Sequence, residues 1–334
     1  MNNLQIGKLK ASPGEFVSGE IDVAGTDTSL RVIIATGKQA GPVGFITGGM
    51  HGDEINGPAL VTKVKENIDI DNLKGTLIFL PVLNPSGLLN STRRAPEDDI
   101  DLNRAFGHSS ANSHSYKVAE TLLKEVIQKC SFGIDCHDAG GTTALVPHTR
   151  VHIDSSGVCT DGCTLDLGKV FGTKIVLQRE GNEGMLAIES WRRFDMPVVT
   201  VELGGGLKFW DTFLEEGLKG ILNILIEFDC IEGQQKRNEQ QFIITDEHRK
   251  MYKAQSDHLI SLKVQLNDFV HAGDTIAHAI DPFSGKKHKY TAENCGFVFS
   301  VSTKDIVIKG AQIVSILQTE SCTNHNTQPL KRLN

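Results

Sequence analysis

Along the first two thirds of the chain, short apolar runs alternate with stretches whose apolar residues recur at helical spacing. The runs are "VGFITGG" (43–49), "GTLIFLPVLNP" (75–85), "FGIDCHDAGG" (132–141) and "MPVVTVELGGG" (196–206), each ending in glycine or proline. Near-continuous apolarity marks strands covered on both faces, as in parallel sheets. Between them, "PALVTKVKEN" (58–67) and "SYKVAETLLKEVIQKC" (115–130) read as helices. In the second, Val118, Leu122 and Val126, with Leu123 offset by one, form a face that packs on a sheet. The alternation predicts an α/β layer fold, a mixed and mainly parallel sheet flanked by helices.

The character changes near residue 230. "CIEGQQKRNEQQ" (230–241) is polar and glycine-interrupted, as in a linker. Beyond it the chain repeats itself: "DFVHAGDTIAHAI" from Asp268 and "DIVIKGAQIVSIL" from Asp305 share Asp, Val, Gly and Ile at matching positions, 37 residues apart. Two strand–turn–strand copies predict a small all-β domain in which each half closes the other's apolar face, since a lone hairpin is marginal in water. The pattern resembles the barrel-sandwich hybrid of biotinyl and lipoyl carrier domains. Lys286 and Lys287 lie near a turn, where lysine is also the ordinary solvated choice, so an unmodified structural domain is expected. The predicted division is a catalytic α/β domain at 1–235, a linker at 236–245, a β domain at 246–320 and a polar tail at 321–334.

Composition narrows the function. With 39% hydrophobic residues in 334, the chain can bury a full core. Net charge is −7 and no long basic run occurs, which argues against a nucleic-acid partner. The N-terminal "MNNLQIGKLKASPGEF" has neither a basic nor an apolar signal region. No apolar stretch reaches the roughly 18 residues of a membrane span. A cytoplasmic protein without a membrane partner is therefore expected, and a homo-oligomer is compatible with this reading. Seven cysteines, an odd number, do not suggest a secreted disulfide framework, and reduced thiols are expected. Cys159 and Cys163 could bind metal, but no second pair completes four ligands.

Candidate chemistry sits where apolar runs end. In "FITGGMHGDEINGPAL", His51 and Glu54 follow a strand and a glycine pair. With 12 histidines and 41 acidic residues, about 1.5 His-x-x-acid pairs arise by chance, so spacing alone proves nothing. Placement separates this pair from His271/Asp274, which sits inside the β repeat and reads as surface. His51 lies at the carboxyl end of a presumed parallel strand, where α/β sheets bind ligands. His137 ends another such run. Two imidazoles and a carboxylate leave a fourth tetrahedral position open, the arrangement of catalytic zinc. Glu202, in "VTVELGGG", is an acid costly to bury without a purpose or partner. Its natural role is general base toward water at the zinc. Asp53 and Asp138, beside proposed ligands, read as hydrogen-bonding to loop amides or orienting the histidines.

Taken in order, "GGMHGDEINGP", "NPSG", "STRRAPEDDIDLNRAFG", "DCHDAGG" and "VELGGG" resemble the succinylglutamate desuccinylase and aspartoacylase family, relatives of the zinc carboxypeptidases. The resemblance covers most of residues 40–210 and extends to the C-terminal β domain of bacterial members. It implies one zinc ion per chain, held by His51, Glu54 and His137, with Glu202 as catalytic acid/base. It implies that Asn103 and Arg104 meet a substrate carboxylate, which suits arginine's planar fork. Arg93 is the expected oxyanion arginine, with Arg94 second. An arginine upstream of the glutamate helps hold substrate in aspartoacylases, which points to Arg192 or its neighbour Arg193. Gly107 after Phe106, and the loop after His137, depart from the family pattern and leave the substrate's identity open.

The expected function is zinc-dependent hydrolysis of the amide bond of a small N-acyl amino acid. A metallocarboxypeptidase is the nearest alternative, because the same residues would hold a peptide C-terminus. A non-catalytic zinc- or carboxylate-binding relative is the other, and a structural arginine partner for Glu202 would favour it.

Overall fold

The computed structural model describes residues 4–107, 113–153 and 162–318. Strands β1 (Gln5–Ile6) and β2 (Leu9–Lys10) precede β3 (Glu15–Asp22), β4 (Ser29–Thr36) and β5 (Gln39–Thr47). Then come α1 (Asn56–Glu66), β6 (Lys74–Leu80), α2 (Pro85–Asn90), α3 (His114–Glu125), β7 (Phe132–His137) and β8 (Thr143–Ile153). Helix α4 (Gly162–Phe171), β9 (Ile175–Glu180), α5 (Leu186–Phe194), β10 (Val198–Gly205) and α6 (Asp211–Glu227) follow. The rest is β11 (Phe242–Ile244), β12 (Arg249–Lys253), β13 (His258–Leu262), β14 (Phe269–Val270), β15 (Thr275–Ile280), β16 (Lys287–Thr291), β17 (Gly296–Ser302), β18 (Ile306–Val307) and β19 (Gln312–Gln318).

The fold is α/β with a mixed sheet. In the 13-stranded sheet, β10, β7, β5 and β6 run parallel, in that order, and β4 and β3 extend one edge antiparallel. Beyond β10 lies β8, antiparallel to it, and β8 divides its other edge between two partners. Thr143–Leu145 pair with β17, while His148–Ile153 pair in parallel with β9. Hydrogen bonding thus runs on from the parallel strands into the C-terminal ones. β11 falls within the expected linker and pairs with β9.

Two cores sandwich the parallel strands. On one face Leu60 and Val64 of α1, Phe171 of α4 and Ile221 of α6 meet Cys136 of β7 and Val201 of β10. On the other, Val118 and Leu122 of α3 pack with Val32, Ile34 and Phe45. Each fully buried aliphatic side chain contributes roughly 1.5–3 kcal/mol, so these faces fix strand order and register. The predicted helix 115–130 is α3, continued by a 3-10 turn at Ile127–Lys129.

The two repeat copies exchange partners. In the first copy β14 pairs with β17 and β15 with β13; in the second, β18 pairs with β13 and β19 with β17. Each copy therefore spans both C-terminal sheets, which is why neither closes an apolar face alone. Lys286 ends the turn between β15 and β16 and Lys287 begins β16; in that turn the Asp281 carboxylate accepts hydrogen bonds from the backbone N–H groups of Phe283 and Ser284. Cys130, Cys136 and Cys230 are free thiols, whereas Cys295 is disulfide-bonded, a departure from the reduced state expected of every cysteine. Cys159 and the side chain of Cys163 lie outside the described residues. Among the described residues no helix is long and apolar enough to cross a membrane.

Candidate metal centre and cleft

Strand register brings the ionisable residues onto one face. Glu202 is the pairing partner of His137, Thr47 of Asp135, and Thr200 of Arg150. Because side chains alternate along a strand, His137 and Asp135 share that face, as do Glu202 and Thr200, and His148, Arg150 and His152. The intervening Ile134, Cys136, Val199 and Val201 point into the apolar core. Local sequence sets the alternation, and parallel pairing aligns it across strands.

His51 comes from the loop after β5. Its neighbour Gly52 cannot be replaced without collision, since an added Cβ would lie 1.9 Å from the Gly87 carbonyl carbon. The loop leads into α1, whose N-terminus has no cap of its own. Asp138, just after His137, supplies one: its Oδ2 accepts from the backbone N–H of Asn56 at 3.0 Å and from the Asn56 amide at 2.8 Å. That contact ties the loop holding His51 and Glu54 to the strand end holding His137.

At the centre, Glu54 joins both histidines. Its Oε1 lies 2.7 Å from Nδ1 of His51 and its Oε2 2.7 Å from Nδ1 of His137. Ligand atoms of all three residues lie within 4.8 Å of one another, and all three are buried. The outer ring nitrogens are held too. Nε2 of His51 meets Asp101 Oδ1 at 3.0 Å, and Nε2 of His137 meets Asp135 Oδ2 at 2.8 Å. Carboxylates in these places fix ring orientation and tautomer, leaving Nδ1 to face inward, as metal-binding histidines require. Burial alone would lower both imidazole pKa values. The Glu54 charge, with the hydrogen bond of Asp101, outweighs it at His51, and the charges of Asp135 and Glu54 outweigh it at His137, so both are raised. Burial would conversely raise Glu54, but the two histidines hold it well below the usual carboxylate range. Two imidazoles and an ionised carboxylate with converging donors fit one zinc ion. Chemically, the set is a candidate mononuclear metal centre.

Arg93 closes this ring. It donates to Glu54 Oε1 at 3.2 Å and, through Nε and a terminal nitrogen, to Asp101 Oδ2 at 3.3 and 3.1 Å. Glu202 stands across the cleft. Its Oε1 forms a 2.6 Å ion pair with Arg150, while its Oε2 is buried with no hydrogen-bond partner among the described residues. Burial raises the Glu202 pKa against the pull of Arg150. Burial and the charge of Glu54 push Asp138 up to about 7, against its bonds from Asn56 and Gly140. A cavity of about 300 Å³ is lined by His51, Glu54, His137 and Glu202, together with Arg93, Asn103 and Arg104. Arg150, His152 and Arg179 line it as well. A larger cavity, about 620 Å³, opens elsewhere, beside Lys174 and Lys219, and contains none of these residues.

Of the residues singled out in the sequence, eight meet in the cleft: His51, Glu54, His137, Asp138, Glu202, Arg93, Asn103 and Arg104. Arg94 does not line it; it turns to Asp99, 3.2 Å away. Nor does Arg192, which lies on α5 against Glu189 at 3.4 Å, and Arg193 pairs with the same carboxylate. Asp53 and Asp138 accept from loop amides, at Gly141 and at Asn56 and Gly140. Asp101, Asp135 and Arg150 were missed. Asp135 had a signal, an acid two residues before His137 in an apolar strand. Arg150 had only the alternation of His148, Arg150 and His152, without meaning until β8 is paired with β10.

The fold and cleft define an α/β protein with a candidate metal centre at the carboxyl ends of its parallel strands. Residues 40–228, more than half the chain, match the succinylglutamate desuccinylase/aspartoacylase catalytic domain, and the protein belongs to that family. It is 27% identical over 294 residues to an N-alpha-acetyl-L-2,4-diaminobutyric acid deacetylase of Halomonas elongata, covering 83% of this chain and 84% of that one. Its fold is similar to that of a succinylglutamate desuccinylase from Silicibacter sp. TM1040, with TM-score 0.79, 22% identity and coverage of 95% and 97% of the two chains. It is also similar to the product-bound ectoine utilization protein EutE (DoeB) of Ruegeria pomeroyi, with TM-score 0.76, 23% identity and coverage of 87% and 89%.

Proposed function

We propose that the protein is a zinc-dependent amidohydrolase that cleaves a small N-acyl amino acid, with one zinc per chain held by His51, Glu54 and His137. The observation carrying this reading is the convergence, in one cavity, of that ligand set with a buried glutamate oxygen that has no partner among the described residues. Zinc bound there would polarise the scissile carbonyl and lower the pKa of water to roughly 7. Glu202 takes the proton of the attacking water through Oε2 and passes it to the leaving nitrogen. Arg93 offers its guanidinium to the oxyanion as negative charge develops. Asn103 and Arg104 receive the substrate carboxylate.

Family membership and the named activity of the Halomonas relative support the reaction class. The carboxypeptidase alternative needs room for a peptide. Against it, Thr143 and Leu145 line the cavity and are among the residues of β8 that pair with β17, so this part of the cleft wall is hydrogen-bonded to a C-terminal strand. The Arg150 partner of Glu202 favours the non-catalytic alternative, but that contact engages only one of the two carboxylate oxygens.

The test is a hydrolysis screen of zinc-loaded protein against N-acetyl, N-formyl and N-succinyl amino acids, their amide analogues without the α-carboxylate, and peptides of several residues. Release of free amine from the first group alone supports the reading. Efficient trimming of peptides overturns it in favour of a carboxypeptidase, and inactivity throughout favours the non-catalytic relative.

A further inference from the structure

Arg150 projects from β8 on the face that carries Glu202. The Cα partner of Arg150 is Thr200, two residues before Glu202, so the two charged side chains are diagonal neighbours across an antiparallel pair. Arginine and carboxylate commonly meet through two parallel hydrogen bonds. Here one terminal nitrogen of Arg150 meets Oε1 of Glu202 at 2.6 Å, while Nε of Arg150 and Oε2 of Glu202 are both buried and lack hydrogen-bond partners among the described residues. An ion pair selected only to neutralise a buried charge would engage both oxygens, because a buried polar atom left unsatisfied is costly. The one-sided contact spends one oxygen on orientation and leaves the other open.

The surroundings strengthen the assignment. Among the described residues, Glu202 is the only carboxylate paired with Arg150, and Arg179 lines the same cavity.

We propose that Arg150 is a positioning residue that holds the Glu202 carboxylate by Oε1 and thereby presents Oε2 to the reacting water. This rests on the general-base role given to Glu202, and the test separates the two. Full-length variants Arg150→Ala, Arg150→Lys, Glu202→Gln and the Arg150→Ala/Glu202→Gln double are compared. The first readout needs no substrate: urea unfolding should show non-additive losses, with a coupling of about tenfold or more in the folding constant. The second is steady-state turnover of the best substrate found in the screen. Arg150→Ala should lower kcat by at least about tenfold with KM within about twofold, Arg150→Lys should recover part, and the double variant should be no slower than Glu202→Gln alone. Should Arg150→Ala not fold, Arg150→Lys and Arg150→Met carry the same comparisons.

Additive stabilities would overturn the proposal. So would a raised KM at unchanged kcat, which marks a substrate-binding arginine, or an equal loss on the Glu202→Gln background, which marks a role independent of that glutamate. If wild-type protein hydrolyses nothing in the screen, the deacylase reading falls. The unfolding cycle then decides by itself: coupling upholds the held carboxylate, and additivity removes it.

Discussion

Two His-x-x-acid segments in this chain have the same spacing and opposite fates. His271 and Asp274 sit in a turn of the C-terminal repeat, both side chains 51% exposed, with Nδ1 and the carboxylate 3.6 Å apart. There the acid serves the backbone, accepting the His271 N–H at 2.8 Å. His51 and Glu54 are 3% exposed and 2.7 Å apart, and a third residue 83 positions away completes the set. Spacing therefore supplies a local turn in both cases. A metal centre needs in addition a strand end to bury the pair, a distant histidine brought in by register, and further carboxylates to hold the outer ring nitrogens.

The largest expected difference is in metal content. Wild type should carry about one zinc per chain, and purified His51→Ala and His137→Ala should each lose it, because a three-ligand site cannot spare one, whereas His271→Ala should keep it. Undiminished zinc by elemental analysis in both of the first two variants would break the comparison. Next comes the base. Glu202→Gln should retain zinc and lose kcat by at least about a hundredfold; near-normal turnover would shift the role to Asp138 or Asp53.

A smaller effect sharpens the role of the outer carboxylates. Asp101→Asn and Asp135→Asn should weaken zinc affinity by about 10–100-fold in a chelator competition, the usual scale for such partners. Asp274→Asn should leave affinity unchanged. The smallest is a pH effect on stability. Burial, then the charges of Arg150 and Arg179, lower the His152 pKa to about 3, and burial with Arg150 lowers His148 as well. Above roughly pH 6.5 an imidazole is neutral in both folded and unfolded chains, so neither residue contributes. As pH falls from there toward 3, the unfolded chain takes up a proton that native His152 refuses, and stability declines by about 1.4 kcal/mol per pH unit for that residue. Urea unfolding across this window should show His152→Gln flattening the slope.

The sequence by itself determined the elements and most of the residues that meet in the cleft. Apolar runs ending in glycine located β5, β7 and β10, and the residues at their ends, His51, Glu54, His137 and Glu202, are those the fold brings to one cleft. That much was legible because the cue is local: a strand's apolarity and the polar residue that interrupts it lie within a few positions. The repeat at Asp268 and Asp305 announced a paired β unit for the same reason, although the exchange of strands between two sheets was not visible in it. Tertiary structure alone decided which side chains surround those residues. It placed Arg93 against Glu54 and Asp101 while turning Arg94 to Asp99, contacts of two adjacent arginines that motif spacing ranked but could not describe. It set Asp101 behind His51 and Arg150 beside Glu202, pairs separated by 50 and 52 residues. The physical reason is that side-chain alternation is written within each strand, whereas the register that sets one strand's polar face beside another's is fixed by packing of the whole sheet against its helices.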